Sequence, residues 1–499
     1  MSIFNIRDKR EGSSSSAESE TPSSQLPAVS HITKTDHAEP SSEPKNVTVV
    51  ESERRLTQGS DPEGQVSERQ ADAFGNEEGA AIHYKTMDWW HCGVLMIAEN
   101  VSLGVLALPQ AVAWLGLVPG LLLIFFLGII AGYTGFIIGQ FKEAFPQVVS
   151  FADCGELIAG RIGKEIMAVS QVLILIFIMA AHVLSFAVAM NVMTDHSMCT
   201  VAFAALGLII CFVLGLPRTL KGVSYLSIFS CISVFVAVTV TMIAIAISKP
   251  DMGNFVAVHP DMPLVTGLTP VMNIILAYSG HVGFFSFAAE LKNPRDYTKA
   301  LVFMQTLAVT FYMVIGAVIY YYAGEHVASP ALGSASPTVR KIAFGIALPT
   351  IVVAGVINGS VACKYIYIRI WYGTDVIHQK SFKSIGSWVG ICAVAWFVSW
   401  VIAESIPNFN SLLALIGAVF GSWFSYGLPG GLWLYMNKGR MFSTPRKTAL
   451  TLLTMCIFCL GATMCILGLW NSGHELSQGT AGQPFSCQNN WRPSIERSD

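Results

Sequence analysis

Charge is scarce in this chain where a soluble protein would need it most. Asp, Glu, Lys and Arg make up 12% of its 499 residues, against roughly 25% in soluble domains, and mean hydropathy is +0.55. The shortage is uneven. Residues 1–87 hold 24 of the 62 charged side chains, 15 acidic and 9 basic, and the remaining 412 residues share 38. So little charge excludes a soluble globular fold for the larger part. Catalytic motifs are missing as well. The apolar stretches contain no paired aspartates, no histidine-rich metal cluster and no nucleophile elbow. A membrane enzyme is therefore set aside, and no metal, cofactor or nucleic-acid partner is expected. Residues 1–87 also lack an apolar h-region, so they do not read as a cleaved signal peptide.

What the first 87 residues do have is a serine run (Ser13 to Ser16), scattered prolines and few clustered hydrophobics. Such a segment cannot bury enough apolar surface to offset the entropy of ordering, and it reads as a disordered tail open to regulatory partners. Beyond it the chain is mostly apolar. A helix needs about 20 apolar residues to cross the hydrocarbon core. Eleven stretches qualify as candidates: Gly93–Val112, Leu117–Ile138, Ile166–Ala189, Cys199–Leu216, Leu226–Ser248, Thr269–Ala289, Ala300–Ala323, Ile342–Cys363, Ile385–Ala403, Ser411–Tyr435 and Ala449–Leu469. The expected class is an all-α integral membrane protein. It would have a tail over 1–87, eleven spans within 88–470, and a short C-terminal tail over 471–499.

Orientation follows from basic residues. With the N-terminus cytoplasmic, inner loops collect 16 Lys or Arg, while the outer loops keep only Lys249, Arg340 and Lys341. An odd number of spans then puts residues 471–499 outside the cell or in an organelle lumen. The sequons at Asn46, Asn100 and Asn358 fall in the tail or within spans and would go unused. Most of the eleven cysteines lie inside spans and read as packing residues. Cys199 and Cys487 alone face an oxidising side, where a disulfide between them is one option.

Two spans are not plain. The first reads Met96-Ile-Ala-Glu-Asn-Val-Ser-Leu-Gly-Val-Leu-Ala-Leu-Pro109, placing a carboxylate, an amide, a hydroxyl and a glycine where lipid would tolerate none of the polar groups. The sixth reads Ala277-Tyr-Ser-Gly-His-Val-Gly-Phe-Phe-Ser-Phe-Ala-Ala-Glu290, again with a polar interruption in mid-span. Breaks at corresponding positions of two halves point to an inverted-repeat transporter fold. The repeats would cover about 93–248 and 269–435, five spans each, with an eleventh helix at about 449–469. Half-helix N-termini offer free amides to a carboxylate, and carbonyls freed at a break accept from an ammonium group. Few charged side chains are available in the spans to neutralise a charged substrate, which favours a neutral zwitterion.

The stretch Ile97–Pro109 resembles the first-helix signature of the amino acid/auxin permease family. Phe287-Ala-Ala-Glu-Leu-Lys-Asn-Pro294 resembles that family's second signature. The likeness extends over residues 84–470 and is nearest in kind to fungal neutral amino acid permeases of the methyltryptophan-resistance type. It implies proton-driven symport of aliphatic and aromatic neutral amino acids across the plasma membrane. Substrate would be held at Val101, Ser102, Leu103 and Gly104 of the first break, and at Tyr278, Ser279, Gly280 and His281 of the second. Spans 3 and 8 would add a side-chain pocket, for which Phe177, Phe284, Phe285 and Asn358 are candidates.

Coupling needs a titrating group reached from both sides in turn. Glu99, beside the first break, is the leading candidate, and His281 and His182 are the other titratable groups inside these spans. Each also has a structural reading: the histidines could simply bond to carbonyls, and Glu99 to freed amides. Glu290, near Lys292 and Arg295, reads as a gate or a loop ion pair. Sodium coupling stays open, since carbonyls of the first span with Asn100, or hydroxyls of the eighth, supply suitable oxygens. Two other roles fit the same residues: a vacuolar exporter of the same family, and an amino acid sensor signalling through its tail.

Overall fold

The computed structural model describes residues 85, 87–217, 221–260, 262–371, 374, 381–478 and 483–491, all within one compact unit, Ser67–Asp499. The expected disordered tail falls almost wholly outside the described residues, as do Arg218 and Lys380 of the basic-loop count. Apart from an isolated bridge between Met87 and Leu291, regular structure among the described residues is helical.

Each apolar stretch coincides with a helix or a bent pair. The first becomes α1 (Trp89–Asn100) and α2 (Gly104–Leu115), bent by 55°. Then come α3 (Leu117–Ala144), α4 (Phe151–Thr194), α5 (Thr200–Gly215) and α6 (Lys221–Ser248). The sixth stretch is α7 (Leu264–Ala277), a 3-10 turn at Gly280–Gly283 and α8 (Phe284–Ala289). Next follow α9 (Tyr297–Ala323), α10 (Pro337–Ile370) and α11 (Phe382–Ser405). The tenth stretch is α12 (Phe409–Ile416), two π-helical turns at Gly417–Gly421 and Trp423–Gly427, and α13 (Leu428–Met436); α14 (Pro445–Ser477) closes the series. Among the described residues nine helices are long and apolar enough to cross a membrane, and the bent pair makes a tenth. The 16-residue α5 is apolar but shorter.

Some helices run past their apolar stretches, and at one of them a cap sets the start. At the start of α4, Ser150 and Asp153 form a reciprocal capping box: the Asp153 amide donates to Ser150 Oγ at 3.4 Å, and the Ser150 amide to Asp153 Oδ2 at 2.9 Å. This helix therefore begins at Phe151, well ahead of Ile166. It bends at Ala159–Gly160, where Gly160 has φ 63°, a left-handed conformation suited to glycine. Likewise α14 runs to Ser477, past the expected end at Leu469.

Burial separates a centre from a rim. The apolar windows of α4, of the α7–α8 span and of the α12–α13 span are each 72% buried, while those of α11 and α14 are 28% and 22% buried. The two interrupted spans and their neighbours thus occupy the interior, and α11 and α14 present apolar side chains outward, where lipid can cover them.

Candidate functional site

Two chain interruptions meet at the centre. The first spans Val101–Leu103, between α1 and α2; the second spans Tyr278 to Gly283, between α7 and α8. They approach so closely that a Cβ on Gly104 would lie 2.6 Å from the Ala277 Cα, so glycine is required for the contact. Asn100 joins them directly, its Oδ1 accepting from the Gly280 amide at 3.1 Å. The buried Tyr312 hydroxyl of α9 lies 2.9 Å from the carbonyls of both Asn100 and Ala277, the last residues of α1 and α7. Carbonyls freed where these helices stop are thereby partnered inside the protein.

Between the interruptions lies a cavity of about 50 Å³. Its polar wall is Glu99, Asn100, Ser102, His182, Ser279 and Asn358. Its apolar wall is Ile178 and Ala181 of α4, Leu276 of α7, and Leu413 and Ile416 of α12, with Leu103. Among the described residues, Glu99 is the one carboxylate on this lining, and no Lys or Arg joins it. The Glu99 carboxyl faces the side-chain amide of Asn358, which also donates to Ala354 O at 2.9 Å. Ser102 Oγ is buried with no hydrogen-bond partner among the described residues. No side chain caps the start of α2, leaving its first amides to other acceptors. The cavity thus combines donors suited to an anionic group, one carboxylate, and an apolar wall.

The residues singled out from sequence divide. Glu99, Ser102, Leu103, Gly104, Ser279, Gly280 and His182 line the cavity; Val101, Tyr278 and His281 do not. Val101 is fully buried in packing. Tyr278 turns its hydroxyl to Ile124 O at 2.9 Å. His281 is held at both ring nitrogens: Nδ1 lies 3.1 Å from Tyr278 O, and Nε2 lies 3.0 Å from both Ala131 O and Thr134 Oγ1. His182 places Nδ1 2.7 Å from Ile351 O and still borders the cavity. Of the side-chain-pocket candidates, Asn358 is on the lining; Phe284 and Phe285 are core residues, and Phe177 packs on Phe420 with ring centroids 5.5 Å apart.

Sequence reasoning missed Ile178 and Ala181, although Ile178 sits one helical turn ahead of His182, a spacing that could have found it, and Ala181 stands three residues after Ile178. Leu413 and Ile416 carry no signal in the sequence, since nothing there says that α12 faces the two interruptions.

A helical bundle with two interrupted spans around a central polar cavity is the architecture of a multi-pass membrane protein whose business lies inside the bilayer. The comparisons place it more closely. The transmembrane amino acid transporter protein family matches residues 85–473, and the chain belongs to this family. It is 34% identical to the N amino acid transport system protein of Neurospora crassa, over 82% of this chain and 90% of that one. A transmembrane transporter of Fusarium pseudograminearum is 27% identical, over 87% of this chain and 94% of its own length. Amino acid transporter AVT1D of Arabidopsis thaliana is 22% identical, over 72% and 64% respectively.

Proposed function

We propose that the protein is a secondary active transporter that moves neutral amino acids together with a proton across the plasma membrane, its N-terminus cytoplasmic. The observation that carries this reading is the central cavity, lined by a single carboxylate and by no Lys or Arg among the described residues. A zwitterion is neutral overall and suits such a lining, whereas a substrate with a charged side chain would meet no partner of opposite sign beyond Glu99.

The substrate carboxylate would take the uncapped amides at the start of α2 and the hydroxyl of Ser102. Its ammonium group would lie toward Glu99 and the end of α7. Ile178, Ala181, Leu413 and Ile416 would receive an aliphatic or aromatic side chain. At about 50 Å³ the cavity is small against the roughly 300 Å³ at the lower end of small-molecule pockets, so it must widen to admit substrate. Glu99 is our assigned proton carrier because it borders both the cavity and the first interruption. The likeness to the Neurospora crassa N amino acid transport system protein supports the substrate class. The basic loops support the orientation.

The test is uptake of labelled leucine and phenylalanine into liposomes holding the purified protein, with an inward pH gradient and with or without sodium. Accumulation driven by the pH gradient alone, and lost in Glu99→Gln, is the expected result. Accumulation that survives the substitution moves the proton site to another group, with His182 first because it shares the cavity. A requirement for sodium overturns proton coupling. Protein that binds amino acid yet moves none under either gradient overturns transport and leaves an amino acid sensor.

A further inference from the structure

Residues 483–491 lie against the bundle through contacts with several helices. Cys487 is disulfide-bonded to Cys199, just ahead of α5. Thr200 Oγ1 donates to Gln488 O at 2.7 Å, Asn191 Nδ2 of α4 to Asn490 Oδ1 at 2.8 Å, and the Phe485 amide to Glu404 O of α11 at 3.2 Å. At the end of this segment the Trp491 ring, 6% exposed, is packed so tightly on Gly333 that no Cβ fits there. Phe344 meets it with ring centroids 6.0 Å apart, and the Arg340 guanidinium stands 5.6 Å from its centroid.

Gly333 belongs to the connector between α9 and α10. Seven of its ten residues over 327–336 are buried, although connectors ordinarily run over the surface. The other side of this connector reaches toward the cavity. Gln110 Nε2 of α2 donates to Val327 O at 3.3 Å, and Ser329 Oγ donates to Asn410 Oδ1 of α12 at 2.6 Å. Asn410 Nδ2 in turn donates to Gln110 Oε1, and Asn273 Nδ2 of α7 lies 3.4 Å from Asn410 Oδ1. Asn410 and Asn273 stand three residues ahead of Leu413 and Leu276, which line the cavity, so this amide cluster lies one helical turn beyond it.

We propose that residues 483–491 form a disulfide-tethered strap that holds connector 327–336 down across this end of the cavity. Trp491 is the positioning residue, and Asn410 is the latch that it keeps engaged. The bond at Cys487 fixes the strap to α4 and α5, and the indole of Trp491 passes that restraint to Gly333. The connector then holds α2, α7 and α12 together through three side-chain amides, Gln110, Asn273 and Asn410, and the Ser329 hydroxyl. Lifting the connector would free all three cavity-lining helices at this end at once.

Hydrogen exchange on the full-length protein in detergent tests this, with and without a dithiol reductant, beside Trp491→Ala and Trp491→Phe. The first thiolate of the reductant attacks the Cys199–Cys487 bond, its second thiol closes its own disulfide, and two cysteine thiols remain. Exchange over 327–336 and over α12 is expected to rise about tenfold on reduction, and equally in Trp491→Ala with the disulfide intact. Trp491→Phe keeps an aromatic ring on Gly333 and is expected to stay near the native rate. Faster exchange confined to 483–491, or a Trp491→Ala protein with native rates over 327–336, overturns the proposal. So does a rise spread evenly over all helices, since the strap would then be holding the fold and not the connector. No substrate enters the measurement, so its outcome is independent of the transport reading.

Discussion

The interruption between α1 and α2 and the one between α7 and α8 look alike in sequence, each a small polar run in an apolar span, yet they are held in different ways. At the second, Tyr278, Ser279, Gly280 and His281 all have hydrogen-bond partners inside the protein. At the first, Ser102 Oγ has none among the described residues; neither α2 nor α8 is capped by a side chain, so the difference lies in that hydroxyl. One interruption is braced throughout and the other keeps one hydroxyl in reserve beside the cavity. Buried polar groups are ordinarily paired, so the unpaired ones are where a ligand gains most.

Substitutions can break that contrast, starting with the bond that joins the two sides. Asn100→Ala removes the acceptor of the Gly280 amide and leaves a buried donor unpaired, a cost of about 1–3 kcal/mol. We expect the largest loss here, in thermal stability and in substrate affinity together; a variant with native melting and native KM would show that the two interruptions are not coupled through Asn100. Gly104→Ala comes next. Its methyl group would press on Ala277, and overpacking of this kind costs about 1–3 kcal/mol, so a lower melting temperature and slower uptake are expected. Unchanged melting would mean that the two helices part easily.

Tyr312→Phe takes the shared hydroxyl from the ends of α1 and α7, a loss of about 1 kcal/mol. It should lower the melting temperature and leave the preference among substrates as it was. The smallest effect on stability is expected from Ser102→Ala, which should cost none, because no bond is lost and an unpaired buried hydroxyl is removed. Its KM should nevertheless rise severalfold. Native KM in this variant would remove Ser102 from the proposed substrate contacts and the reserve role with it.

Both interruptions were legible from residue type, because carboxylate, amide and hydroxyl side chains are expensive in lipid and must face something polar. Glu99, Ser102 and Ser279 were found that way, and all border the cavity. His281 and Tyr278 satisfy the same rule by bonding to backbone carbonyls of α3, an arrangement that residue type cannot distinguish from cavity lining. The π-helical turns at Gly417–Gly421 and Trp423–Gly427 left no mark in the apolar pattern. There α12 and the turn at Gly417–Gly421 crowd α7, and a Cβ on Gly417 would collide with Met272 O.

The sequence by itself determined the class of this protein: helices long and apolar enough to cross a membrane, two of the spans interrupted by polar residues, and a family signature in the first. Those properties are local, since the length and polarity of a segment decide whether lipid can surround it. The tertiary structure alone decided which polar groups look into the cavity and which bond elsewhere. It also decided that α12 supplies part of the apolar wall, and that Cys487 returns to Cys199 across 288 residues of chain. Such facts depend on which helices pack side by side, and a hydrogen bond or a disulfide between distant segments exists only once that packing has brought its atoms together.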